Sequence, residues 1–414
     1  MSTEERKVPE LRFKGFNDDW EQRELNDLVE FSKGKFYSKS DLVENGNDVI
    51  LYGQLYTNYQ TEISYSDTKV IPKPNSVYSK GKEVIIPSSG ESAEDISIAS
   101  SLTVGGIIIA GDINILTPFN ILNNTFLALD LSNGKSKKEL SKYAQGKSIV
   151  HLHGNDFKKL KLKFPILNEQ IKIKEFILRI EILINLHQRK FNILKKLKKV
   201  YLKEMFADHV NKRPNLRFKD FEEEWELRKL GELGSTFTGL QGKSKVDFGH
   251  GSANYVPYTN IFNNLFVDTN QLEKIEQDSK QNSLKYGDVL FTTSSETPVE
   301  VGMSSIWLGK MSNVYLNSFC FGYRLNTPIN LYFLAFSLRS PYFRRRMSVL
   351  AQGISRYNIS KTKVMDSLIS VPETTEQKYI GEFLVGLEKA IEFQNSKIKK
   401  IKELKKEYLN KMFI

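Results

Sequence analysis

Two stretches of the chain share one hydrophobic rhythm. From Asn168 it reads "NEQIKIKEFILRIEILINLHQRKFNILKKLKKVYLKEMF", with neither proline nor glycine. Apolar residues fall at Phe176, Ile180, Leu183, Phe191, Leu194, Leu197, Tyr201 and Met205, mostly three or four apart. That spacing keeps one helical face apolar and predicts a coiled-coil seam. Pro165 before the run and Pro214 after it are start and stop signals. The rhythm returns at Phe383, Leu387, Ala390, Ile398, Ile401, Leu404, Tyr408 and Met412, with Lys and Glu on the outer positions. Each run predicts a helix of about 39 residues, roughly 58 Å at 1.5 Å per residue. Neither helix can bury its stripe alone, so the two are expected to pack on each other. His187 and Gln394 share one equivalent seam position, where a polar side chain fixes register. The basic run Lys195, Lys196, Lys198 and Lys199 reads as a solvated face or a partner surface, with phosphate contact as the alternative.

Outside these runs the pattern shortens to β-rich pieces bounded by turn residues. The first half holds "DVILYGQLYT", "EVIIPSSG", "GGIIIAGDINIL" and "LKLKFPI"; the second holds "NYVPYTNIF", "GDVLFTTSS", "SSIWLGK" and "FCFGYRL". Helical stretches such as 330–350 are fewer, so each half reads as a mixed α/β domain of about 160 residues.

The halves are copies. "PELRFKGFNDDWE" (Pro9 to Glu21) returns as "PNLRFKDFEEEWE" (Pro214 to Glu226), with Trp20 on Trp225, a shift of 225 − 20 = 205. "VIIPSSGESAED" aligns with "VLFTTSSETPVE" at the same shift, Glu91 falling on Glu296. "AQGKSIVHL" then matches "AQGISRYNI", "PILNEQIKIKEF" matches "PETTEQKYIGEF", and "VYLKEMF" matches "EYLNKMF". An ordered internal duplication implies a pseudo-twofold axis; set across the helices, it makes them antiparallel and places the globular parts at opposite ends. The segment ending at Ile414 is expected to dock near the N-terminal phrase.

Composition narrows the classes. A 40% hydrophobic share suits packed cores, and the opening "MSTEERKVPE" has no apolar signal region. The apolar stretch 105–110 is too short to span a bilayer. One cysteine, Cys320, rules out an intrachain disulfide and a multi-cysteine metal site, and cytoplasm is the expected compartment. A net charge of +11 points toward a polyanionic partner.

The frame is retained between halves while the interiors diverge: "YGQLYTNYQ" stands where "YTNIFNNLF" stands. Two copies of one scaffold with different contact surfaces suit a reader of two unlike half-sites. The doubled opening phrase, the turns "AQGKSI" and "AQGISR", and the "PILNEQ" and "PETTEQ" lead-ins to two long helices resemble the specificity subunit of Type I restriction-modification enzymes, over essentially the whole chain. The resemblance implies two pseudo-twofold-related target-recognition domains, 1–165 and 209–372, joined by two long antiparallel coiled-coil helices, 166–208 and 373–414. It implies a bipartite site on double-stranded DNA and two modification (methyltransferase) subunits docked on the helices. Restriction and translocation subunits would complete the complex. It further implies that S-adenosylmethionine, ATP and Mg²⁺ serve those partners, and that this chain holds no cofactor.

Catalytic patterns fail on inspection. "GLQGKS" ends like a phosphate loop, yet Phe237 stands where glycine is needed, and before "SNGKS" Leu129 does the same. His151, His153 and Asp156 have metal-like spacing, but their duplicates are Asn358, Ser360 and Lys363. Neither an Asn/Asp-Pro-Pro-Tyr/Phe methyltransferase signature nor a nucleophile elbow is present. A self-contained modifying enzyme is therefore disfavoured, and a coiled-coil scaffold that reads no DNA remains the alternative.

Three loops per half carry groups suited to base edges. The first has Tyr52, Gln54, Tyr56 and Asn58 against Tyr258, Asn260 and Asn263, either adenine-reading amides or ordinary surface amides on a strand. The second has Ser88, Ser89 and Glu91 against Ser294, Ser295 and Glu296, either a close approach to a ligand or a structural turn. The third follows the AQG turns, with Lys147, Ser148 and His151 against Ser355, Arg356 and Asn358, and combines charge, a tight turn and hydrogen-bonding groups. Of Arg344, Arg345 and Arg346, at about 100° per helical residue, at most two can reach phosphate together.

Overall fold

The computed structural model describes residues 8–146, 149–208 and 211–414. The chain forms two compact units, Met1–Gln188 with Ser396–Ile414, and Arg189–Asn395. Among the described residues, the first unit builds two five-stranded sheets. One orders the strands Val29–Lys33, Ile113–Pro118, Val84–Pro87, Ser100–Leu102 and Glu62–Ile63, side by side. In the second unit a four-stranded sheet repeats the first four places with Gly234–Thr238, Cys320–Leu325, Val289–Thr292 and Ser304–Ile306. The duplication is thus one of topology as well as of sequence. Side chains such as Val84, Ile86 and Leu116 pack one core, and Val289, Phe291 and Phe321 pack its counterpart.

The long helices span Leu167–Glu204 and Thr374–Met412. In the first unit Phe176 meets Tyr408 edge-on at 4.9 Å and Lys405 pairs with Glu181 at 2.6 Å, so the two segments run antiparallel there. In the second unit Tyr201 meets Phe383 at 4.9 Å and Lys198 pairs with Glu388. These are the same contacts displaced along the chain (383 − 176 = 408 − 201 = 207). Leu409, Met412 and Phe413 enter the first unit's core, and Leu11 N–H donates to the Lys411 carbonyl at 2.9 Å.

The seam differs in detail from the simple pattern. Leu183 is 43% exposed and Phe383 37%, while the buried line of the second helix runs through Ile380, Leu384, Ile391, Gln394 and Ile398. Phe176, Ile180, His187, Leu194, Leu387, Ile401, Tyr201 and Tyr408 are half-buried. Two neighbouring stripes fit one periodicity, and the globular core selects between them. Ile380 and Leu384 pack with Trp225, Phe333 and Phe336, which turns that arc inward. Phe383 instead lies against Tyr201 and Phe218.

The repeated phrases prove to be joints. Arg12 grips Glu169 through two hydrogen bonds of 2.7 and 2.8 Å, and Arg217 grips Glu376 with the same pair of distances. Next to each glutamate a glutamine ties the start of its helix to the domain. Gln170 donates to the Pro165 carbonyl at 2.7 Å and accepts from Asn123 N–H at 2.8 Å; Gln377 does the same with Pro372 and Asn330. Asn123 and Asn330 are themselves the N-caps of the buried helices Asn124–Leu131 and Leu331–Ser337. Opening phrase, helix start and domain core therefore form one connected joint in each unit.

Candidate nucleic-acid interface

The AQG turns are tightly closed. In the second unit Gln352 and Asn358 exchange backbone hydrogen bonds of 2.9 and 2.8 Å, and in the first Gln145 and His151 do so at 2.9 and 2.7 Å. Gly353 has φ +143°, and a Cβ there would lie 2.1 Å from the Arg356 carbonyl oxygen; Gly146 has φ +136° and 2.0 Å to that of Ile149. Only glycine fits at these two closures. Gln352, Ile354, Ser355, Arg356 and Asn358 are exposed, Ile354 at 97%. Lys147 and Ser148 lie outside the described residues.

Behind each loop runs a two-residue strand. Ser294–Ser295 pairs with Tyr357–Asn358, and Ser89–Gly90 pairs with Val150–His151. The second and third sequence candidates therefore meet in one ladder in each unit. The serines themselves are buried, as is Ser88, leaving Glu91 and Glu296 exposed beside them. Ser89 Oγ lies 3.2 Å from His151 Nδ1, and His151 and His153 stack with rings 6.1 Å apart. Among the described residues no cluster suited to a metal ion occurs. Cys320 is buried, and burial pushes its thiol up, away from reactivity.

The first candidate pieces are short helices, Tyr52–Thr57 and Tyr258–Asn263, where a strand is the simpler expectation. Gln54 starts the first by accepting Leu51 N–H at 2.8 Å and also donates to Thr68 Oγ1 at 3.0 Å. Its amide is thereby occupied. Asn260 is fully buried, bonding to the Asp268 carbonyl at 2.9 Å and accepting its N–H at 3.0 Å, so it organises the loop from inside. Tyr52, Asn58 and Asn263 are exposed, Tyr56 half-buried. Tyr258 reaches the ladder, donating to the Ser294 carbonyl at 2.6 Å. Burial raises its hydroxyl's pKa, opposed by Ser295, Thr292 and the nearby Arg356 charge.

Arg344 does not face outward. Its guanidinium donates to the carbonyls of Gly302 at 2.7 Å, Val299 at 2.9 Å and Val301 at 2.5 Å, and burial depresses its pKa to about 10. Arg345 and Arg346 are the exposed members of the run. A lysine-lined groove escaped the sequence reading: Lys137, Lys138, Lys402, Lys405 and Lys406 border about 550 Å³ in the first unit. Helical spacing within each segment could have flagged it, but only folding joins the two segments.

Comparison with known families decides the class. The family described as the Type I restriction modification DNA specificity domain matches residues 17–196 and again 222–403, most of the chain. The chain belongs to this family. It is a DNA specificity subunit, a recognition role rather than a catalytic one. The two matched stretches begin 222 − 17 = 205 residues apart, the shift of the internal duplication, and each runs on into a long helix. The Type I restriction enzyme MjaVIII specificity subunit of Methanocaldococcus jannaschii is 23% identical over 95% of this chain and 92% of its own. The fold is shared with the S subunit of a type I restriction-modification system from M. genitalium, at TM-score 0.60 and 13% identity over 98% of this chain and 99% of that one. A further chain, from a structure of type I R-M complex assembly and conformational transition, aligns at TM-score 0.57 with 14% identity, covering 97% and 99%. Among the described residues no helix of the specificity subunit is long and apolar enough to cross a membrane.

Proposed function

We propose that each specificity domain reads one half of an asymmetric, bipartite duplex DNA site through its AQG loop and the strand behind it. One observation carries this reading. Two loops with the same backbone closure display different chemistry, Ile149 and His151 in one domain and Arg356 and Asn358 in the other. Identical frames fix where the side chains stand; unlike side chains then select unlike bases. The exposed candidates Tyr52, Asn58, Glu91, Asn263, Glu296, Ser355 and Arg345 serve at the margins. Lys147 and Ser148 belong to the same loop by sequence. The lysine-lined groove, which adjoins Tyr56 through Lys137 and Lys405, suits phosphate contacts that position the duplex.

In this reading two modification subunits dock on the long helices and methylate adenine with S-adenosylmethionine. Restriction subunits using ATP and Mg²⁺ join the full complex, and the assembly works in the cytoplasm on chromosomal DNA. The unread spacer follows the lengths of the two long helices. His151→Ala and Asn358→Ala test the division of labour. Each is expected to relax one half of the methylated motif by about tenfold or more, the range of one good base contact, and to leave the other half intact. Relaxation of both halves by either variant would sink it.

A further inference from the structure

We propose that Phe319 is a positioning residue for sequence reading: it holds the Arg356 guanidinium in a set plane, so that the second domain meets one guanine through two hydrogen bonds. This rests on the DNA-reading role of the AQG loop given above.

The Arg356 backbone is fixed by the closure at Gly353, as described. Its side chain is exposed, and among the described residues none accepts a hydrogen bond from it. Its guanidinium carbon lies 5.9 Å from the centre of the Phe319 ring, within the range of cation–π attraction. Phe319 is held equally firmly. Its N–H donates to Asn317 Oδ1 at 2.8 Å, and its carbonyl accepts from Thr293 N at 3.0 Å and Thr293 Oγ1 at 2.7 Å. The Thr293 carbonyl in turn accepts Ile359 N–H at 2.9 Å, so one residue ties the Phe319 backbone to the strand that follows the AQG loop. Yet Phe319 is 58% exposed, which core packing does not explain.

A planar guanidinium offers parallel donors matched to guanine O6 and N7, and an arginine whose plane is already set loses less freedom on binding. Arg344 spends its donors on protein carbonyls, whereas those of Arg356 stay available beside the AQG closure. The first domain lacks the pair. Gly146 closes on Ile149 as Gly353 closes on Arg356, and Ser88 N–H donates to the Asp112 carbonyl at 2.8 Å as Thr293 does to that of Phe319. Ile149 and Asp112 therefore stand where Arg356 and Phe319 stand, and the device belongs to one half-site.

The test uses the full chain assembled with its modification subunits. The methylated motif is mapped for the wild type and for Phe319→Ala, Phe319→Tyr, Arg356→Ala and Arg356→Lys. Both arginine variants are expected to lose discrimination at one guanine of one half-site roughly tenfold or more, and Phe319→Ala to lose about two- to fivefold at that same guanine, while Phe319→Tyr retains it. The other half-site should be unchanged in every variant. A second measurement needs no variant: duplexes carrying the mapped motif with 7-deazaguanine at that position, which keeps O6 but lacks the N7 acceptor, should be methylated less well by the wild type than the natural duplex, and Arg356→Ala should not distinguish the two. Unaltered specificity in Phe319→Ala, a uniform loss across all sequences in Arg356→Ala, or indifference of the wild type to 7-deazaguanine at every guanine would each overturn the assignment. Failure of the DNA-reading role itself would show differently, as a motif that persists when the whole chain is deleted.

Discussion

Glu169 and Glu376 are wholly buried carboxylates, each held by an arginine from an opening phrase. Removing one partner of such a pair leaves a charge stranded, at a cost of about 3–5 kcal/mol. Arg217→Ala is therefore expected to lower stability by that order, read from denaturant midpoints of the purified chain; a change within experimental error would contradict the joint. The two tryptophans of the phrases differ at the same place. Trp225 Nε1 donates to Glu376 at 3.1 Å, whereas Trp20 Nε1 has no partner among the described residues. Asp130 carries a pH dependence. Burial pushes its carboxyl up to about 7, with the Ser136 hydroxyl acting the other way, and its Oδ2 has no partner among the described residues. A carboxyl that titrates higher folded than unfolded keeps its proton longer in the native state, so stability falls as pH rises from about 4 to about 7. Asp130→Asn should remove that fall, raising the melting temperature at pH 8 much more than at pH 5, with an effect of at most a few kcal/mol at about 1.4 kcal/mol per pKa unit. Melting curves of wild type and variant that shift in parallel with pH would contradict it.

At the scale of elements, the second long helix contains two glycines with opposite expectations. A Cβ on Gly386 would meet nothing within 4 Å, while one on Gly381 would lie 2.8 Å from Phe333 N and Asn330 Oδ1. Gly386→Ala should stabilise by about 1 kcal/mol through helix propensity. Gly381→Ala should destabilise, because the helix cannot approach the Asn330 cap so closely. Thermal melts that order the two variants the other way would show the packing to be wrong. Both long helices were legible from periodicity, because long amphipathic runs between prolines leave few alternatives. The buried line was not, since Phe383 and Leu384 both continue a helical stripe and only the Trp225 cluster chooses. Tyr52–Thr57 was illegible as a helix for a related reason. Its tyrosines and leucine suit a strand, and the start is set by Gln54 reaching Leu51 N–H. Asn260 misled because an amide looks the same in sequence whether it faces DNA or the Asp268 loop. The AQG turns were legible, since a glycine at a matching place in both copies marks a backbone requirement.

For the whole molecule, the duplication and the charge of +11 had already indicated a two-part reader of nucleic acid, and the family match bears that class out. Which bases are read was not legible, because loop conformation rather than residue type decides which side chains are presented. Adding seven residues to each long helix in matched positions lengthens it by about 10 Å, and the accepted spacer should grow by about three base pairs. An unchanged spacer would separate recognition from helix length. The central claim, that this chain sets the sequence methylated by its partners, is tested most directly by mapping methylated bases across the native host's genome with and without the gene. The account predicts the loss of one asymmetric, gapped adenine motif whose halves answer separately to His151 and Asn358. If every motif persists while the modification subunits remain active, specificity resides elsewhere and the account is wrong.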